Sequence, residues 1–162
     1  MKTHRFLPFL LLVMFFNQGH RPSPEREMFV GATPCDPVAR HLLSIPMDMD
    51  CEMIKWKIAL QRHPRDQNPT RFTLQYTYGM TKPGTQGFAN DGFSREINGE
   101  WHIEKNTGKA PGADIFVLQS QSKTPIRLLR LDNRLLHLLD PEGNLMIGNA
   151  GFSYTMNRST GI

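Results

Sequence analysis

The stretch Met47-Asp48-Met49-Asp50-Cys51-Glu52-Met53 carries four sulfur atoms at alternate positions with acids between them. Held as an extended strand, it would turn Met47, Met49, Cys51 and Met53 to one side. Soft sulfur ligands select Cu(I), and the interleaved carboxylates would attract a cation. The competing reading is packing, because Met fills irregular core gaps beneath a loop without binding anything. Cys51 has a single potential partner in the chain, Cys35. Bonding the two would close a loop of about 15 residues and contribute roughly 3 kcal/mol by restricting the unfolded chain. It would also take the thiolate away and leave Met47, Met49 and Met53 as a weaker, three-thioether site for Cu(I). Two independent thiols are the alternative. A structural zinc site is close to excluded: it takes about four N or S ligands, and the chain has neither a Cys-x-x-Cys nor a second Cys pair.

A second set of residues suits a ligand rather than a metal. Trp56, Tyr76, Tyr78, Trp101 and Tyr154 fall on apolar faces of candidate strands, and Arg130 shares a face with Ile126 and Leu128. Inside a small barrel, Trp56, Tyr76, Trp101 and Tyr154 could line an apolar cavity while Arg130 met an anionic head group. Ordinary core packing explains the same aromatics. Catalysis has little support, since there is no Gly-x-Ser-x-Gly elbow, no His-Glu-x-x-His and no phosphate-cradling Gly-rich motif. The six His are scattered. His137, between Leu135 and Leu139, is expected in a perturbed environment but as a packed, hydrogen-bonded residue rather than a base.

The elements that must position these residues are short. Gly and Pro number 13 and 12 in 162 residues, which favours many turns over long helices. Asp36-Pro37 followed by Val38, Leu42, Leu43 and Ile45 predicts a short helix with Asp36 as N-cap and Pro37 at its first position, ending before Pro46. From Ile54 the period changes to two, with Ile54, Trp56, Ile58 and Leu60 alternating against Lys55, Lys57, Ala59 and Gln61. Phe72, Leu74, Tyr76 and Tyr78 repeat the pattern. Further strand candidates lie at 93–97, 101–104, 115–119, 126–131, 135–139, 145–147 and 152–157, separated by turn pairs such as Asn98-Gly99 and Asp132-Asn133. The fold expected is all-β, a small antiparallel up-and-down barrel of about eight strands, lipocalin-like, with one short N-terminal helix. The segment from Gly79 to Gly92 is expected to be a long loop, with Phe88 and Phe93 exposed or nearly so and available to a partner.

Charge and the N-terminal segment bear on where such a domain works. Lys2, His4 and Arg5 precede an apolar run from Phe6 to Phe16 that stops at Asn17-Gln18. This has the form of a secretory signal peptide, and it is shorter than the roughly 20 apolar residues that a membrane span needs. The division expected is therefore residues 1–19 as leader, 20–27 as a flexible linker, 28–158 as one barrel domain and 159–162 as a tail. The protein would be exported to the periplasm or outside the cell, soluble and monomeric. The formal charge of +4 invites a nucleic-acid partner, yet Lys2 and Arg5 are the only charged side chains in the leader. Removing it leaves +2 on 143 residues, too little for a phosphate-tracking surface.

Several short motifs resemble the N-terminal domain of NlpE-type copper-resistance lipoproteins of bacterial envelopes. They are Pro34-Cys35, then Cys51 and Met53-Ile54 leading into Trp56, Ile58 and Leu60; Gly99-Glu100-Trp101; Leu139-Asp140-Pro141-Glu142-Gly143-Asn144; and Tyr154-Thr155-Met156. Together they span most of residues 28 to 158. Two features depart from the family pattern. Its Cys-x-x-Cys is opened here to a spacing of fifteen residues, so a metal-binding or redox role for the pair is not carried over. His20 also stands where the family's lipid-anchored Cys would follow Gly19. The resemblance implies a lipocalin-like barrel that acts as an envelope sensor or binding domain, not an enzyme, with a link to copper or envelope stress and an envelope protein as partner. A carrier of a small hydrophobic ligand is the alternative function, and a structural adaptor a third.

Overall fold

The structure is a computed structural model, and it describes residues 25–107, 111–121 and 124–159. Eight strands form a closed barrel in which each pairs antiparallel with its neighbour in sequence, and β8 returns to β1. They are β1 (Arg26–Pro34), β2 (Met53–Arg62), β3 (Pro69–Gly79), β4 (Phe93–Lys105), β5 (Asp114–Gln119), β6 (Ile126–Arg130), β7 (Leu135–Leu138) and β8 (Thr155–Ser159). One α-helix, α1 (Pro37–Leu43), lies between β1 and β2, and a 3₁₀ turn (Ala89–Asp91) precedes β4. The expected all-β, up-and-down barrel with one short helix is what forms. Among the described residues no helix is long and apolar enough to cross a membrane. The expected leader lies outside the described residues, as do residues 20–24 of the linker and 160–162 of the tail.

Period-two alternation explains β2 and β3 directly. Ile54, Trp56, Ile58 and Leu60 register against Tyr78, Tyr76, Leu74 and Phe72, and all eight are buried. Their side chains form one core with Phe29, Phe116, Leu118, Leu128, Leu136 and Met156 from the rest of the barrel. Lys55, Lys57, Gln75 and Thr77 take the outer face.

Three strand boundaries correct the sequence reading. β1 occupies Arg26–Pro34, overlapping the expected linker at Arg26 and Glu27 and adding a strand where none was placed in the first residues of the expected barrel domain. Its inward set, inferred from pairing with β2, is Phe29, Gly31 and Thr33, while Val30 and Ala32 face outward. Apolar residues on both faces and a Gly inside erase the two-residue signal. At 145–147 there is no strand, only an isolated bridge from Leu145 to Leu139. The closing strand starts at Thr155, three residues later than expected.

A further correction is β4, which runs unbroken through Asn98-Gly99 where a turn was expected. It pairs with β3 from Phe93 to Glu100 and with β5 from Glu100 to Lys105. Gly99 sits at this exchange of partners. A Cβ there would collide with the Gln119 carbonyl and stand 2.7 Å from the Phe72 ring. The glycine therefore serves close approach of strands, not a hairpin. Gly99→Ala should lower stability by about 1–3 kcal/mol, the usual range for overpacking, as read from urea denaturation midpoints. An unchanged midpoint would mean that β4 and β5 have room to separate.

Candidate functional site

The segment between Cys35 and Cys51 gathers most of the residues singled out above. The two cysteines are disulfide-bonded with Cα atoms 5.7 Å apart. Asp36 caps α1 as expected, its Oδ1 accepting from the Ala39 N–H at 2.8 Å with Pro37 at the start of the helix. The helix ends at Ser44 in the left-handed region, φ 56°. Ala39, Leu42, Leu43 and Ile45 are buried in the main core, so α1 packs into the barrel at the end where β1 leaves and β2 returns. Two tyrosines fix it there. Tyr76 Oη donates to the Leu43 carbonyl at 2.9 Å, and Tyr154 Oη donates to Asp36 Oδ2. Burial pushes the Tyr154 phenol well above its ordinary range, and the Asp36 carboxylate beside it adds to the effect. Burial also raises Tyr76, with Tyr78 contributing.

Arg40, which sequence reasoning passed over, organises the whole segment. It is 9% exposed. Its Nε donates to the Cys35 carbonyl at 3.0 Å, and Nη1 donates to Pro46, Met47 and Met49 carbonyls at 2.9, 3.3 and 2.8 Å. Nη2 donates to the Cys51 carbonyl at 3.1 Å. All of these acceptors are main-chain carbonyls, not carboxylates, and they include both half-cystines. The available signal was an arginine between Ala39 and Leu42-Leu43, in a helix too short to turn its charge far from the core.

The same loop departs from the geometry that a Cu(I) site would need. Residues 47–49 form a turn, not a strand, so Met47, Met49 and Met53 do not align on one side. Met47 is 63% exposed and Met53 is buried at the start of β2. Met49 packs against the core and its Sδ accepts from Tyr78 Oη at 3.7 Å. Cys51 Sγ belongs to the disulfide. Among the described residues no group of three or more His, Cys, Asp and Glu is placed to hold a metal.

Of the proposed ligand-binding residues, Trp56, Tyr76, Trp101 and Tyr154 are placed as core members whose polar atoms already have partners. Trp56 Nε1 donates to Thr33 Oγ1 at 2.9 Å and Trp101 Nε1 to the Gln61 carbonyl at 2.9 Å. The Arg62 guanidinium lies 4.6 Å from the Trp101 ring. Arg130 does share the inward face of β6, but at the strand's end, where its side chain is 34% exposed. There it meets the Asp132 carbonyl at 3.3 Å, Asn133 Oδ1, and Asp114 Oδ2 at 3.6 Å. A hydrogen bond from Lys105 and the charges of Lys105 and Arg130 hold the Asp114 carboxyl below its ordinary value. Of the proposed ligand-binding residues, Trp56 alone lines one of the depressions described, which has a volume of about 440 Å³ and opens on the surface.

His137 has both ring nitrogens engaged, Nδ1 with Thr155 Oγ1 at 3.0 Å and Nε2 with the Met146 carbonyl at 2.9 Å. A carbonyl only accepts, so Nε2 carries the proton donated to it. In the 79–92 loop, Phe88 is half-buried with the Lys55 ammonium 5.4 Å over its ring. Phe93 is 48% exposed and stacks on Tyr78 at 5.7 Å. No family model, no curated protein and no solved structure matches this chain.

Proposed function

We propose that this protein is an exported, non-enzymatic binding or sensing domain of the bacterial envelope, similar to the NlpE type and tied to copper or envelope stress. One observation carries the reading. The inside of the barrel is occupied by its own buried side chains, and α1 fills in against them at one end. Contact with a partner then falls to the outer face and the loops, as in a docking or sensing module. The same observation weighs against a carrier, whose ligand would have to displace Trp56, Leu74 or Leu128. The disulfide fits an oxidising compartment.

The test is deletion and complementation in the host, read by an envelope-stress reporter under copper challenge, with fractionation and intact mass of the complementing protein. The expected result is a reporter response lost on deletion and restored by the intact chain. The restored protein should be extracytoplasmic, begin near His20 and lack the two hydrogens of a reduced Cys pair. A response unchanged by deletion, or a full-length reduced protein in the cytoplasm, overturns the proposal.

A further inference from the structure

A groove on the outer face of β1, β2 and β3 has a lining that fits no partner yet described. It consists of two adjoining depressions, of about 420 and 440 Å³, that share Gly31, Ala32 and Lys55. Val30, Ala32 and Phe152 supply apolar surface. Amide side chains line it from three elements: Gln75 on β3, Asn157 on β8 and Gln86 in the 79–92 loop. Thr77, Thr81, Thr85, Ser153 and Thr155 add hydroxyl groups.

The charge in this groove is one-sided. Lys55 and Lys57 both line it, and among the described residues no Asp or Glu does. Neither lysine takes part in an ion pair among the described residues. Two acids stand at its border, each bonded to a residue that lines the groove, and their neutral donors leave their charge in place. Glu52 accepts from the Thr81 N–H and hydroxyl, and Glu96 accepts from Gln75 and Asn98. Lys55 is steadied over the Phe88 ring, which holds its ammonium near the groove while leaving its charge unneutralised.

We propose that this groove binds an anionic saccharide, a sugar chain bearing carboxylates. The two cations match the carboxylates, the amides and hydroxyls match sugar hydroxyl groups, and the apolar floor accepts the C–H faces of the rings. An acidic peptide fits less well. Extended peptides on sheets gain affinity from main-chain bonds at an open strand edge; β2 beneath the groove is paired along both sides, with β1 and with β3, and only the stretch of β1 after Val30 lacks a β8 partner in the ladder. Recognition there has to come from side chains. The inference supplies a ligand class for the surface-binding reading above and rests on it.

Calorimetric titration of the purified, disulfide-bonded protein tests it, with short oligomannuronate as probe and dextran oligomers and poly-glutamate as comparisons. The oligouronate should bind, weaken as salt is added, and lose at least about tenfold in affinity in the Lys55→Gln, Lys57→Gln double variant, since tenfold is the equivalent of one modest charge-assisted contact. Thermal melts should show the variant folded, and Lys57→Gln alone covers the case in which loss of the Lys55–Phe88 contact disturbs the loop. Absence of oligouronate binding, equal binding of dextran, or an affinity untouched by the lysine changes overturns the proposal. Tighter binding of poly-glutamate than of oligouronate also overturns it, in favour of an acidic peptide. Purified protein reports neither export nor copper response, so failure here is separable from failure of the complementation test.

Discussion

Arg40→Met should lower the stability of the folded protein by about 3–4 kcal/mol, a large share of the roughly 5–15 kcal/mol that holds a typical domain together. The side chain spans carbonyls from Cys35 to Cys51 and is itself buried. Methionine keeps much of the volume and removes every donor. The carbonyls of Cys35, Met47, Met49 and Cys51 would then have to find water or remain unpaired, while Pro46 keeps the Met49 N–H at 3.4 Å, and each buried acceptor left unsatisfied costs about 1–3 kcal/mol. Some of that cost is recovered by local opening, which is why the sum is not the expectation. Arg40→Lys separates charge from geometry. A single ammonium on a flexible stem cannot reach Cys35, Met49 and Cys51 together as a planar fork does, so Lys should restore less than half of the loss. Urea denaturation of the three proteins decides the matter. Full recovery by Lys would mean that buried charge, not the arrangement of donors, holds the loop.

The second large effect concerns the disulfide. Cys35→Ala with Cys51→Ala should cost about 3 kcal/mol in the chain-entropy account of a loop this size. The more informative quantity is its coupling to Arg40. The bond and the guanidinium restrain the same stretch of chain, and Arg40 bonds the carbonyls of both cysteines. If the loop is already loose in the folded Arg40→Met protein, a crosslink no longer distinguishes folded from unfolded chains there. The combined variant should therefore lose less than the sum of the separate losses, by more than the roughly 0.5 kcal/mol within which independent sites add. A four-corner cycle of denaturation measurements checks this. Additive losses would show that each restraint acts on a different part of the loop.

The barrel and its plug differ in how far the sequence exposes them. β2 and β3 are readable residue by residue because one face meets a core and the other mostly meets water, so Ile54 to Leu60 and Phe72 to Tyr78 alternate, with the buried Ala59 as the exception on the outer face. The helix is readable from Asp36 and Pro37 because capping is local chemistry. β1 is not, since Gly31 takes an inward position against Met156 and a larger side chain would not fit. The Asn98-Gly99 pair misleads because the dipeptide that favours hairpins also permits strands to pass closely, and only the position of Gln119 distinguishes the two. Arg40 is hidden for a different reason. Its partners are backbone carbonyls, which every residue has, so nothing in the residue types between Cys35 and Cys51 marks them as acceptors. The sulfur run reads as extended because its alternation is real, but residues 47–49 form a turn whose Met47 and Met49 carbonyls meet Arg40, and residue types alone do not show that turn.

The exchange of partners along β4 leaves a mark on how the protein coexists with copies of itself. From Phe93 to Gly99 the strand has β3 on one side and, among the described residues, no paired strand on the other, an interruption that closure of the barrel would otherwise have removed. Open strand edges are templates for edge-to-edge aggregation, and charge placed on them makes such stacking unfavourable. Arg95 and Glu96 occupy the middle of this stretch, both exposed, and the Arg95 guanidinium covers the neighbouring Ser94 carbonyl at 3.0 Å. Charge at these two positions makes edge-to-edge pairing of this half-strand with another chain less favourable.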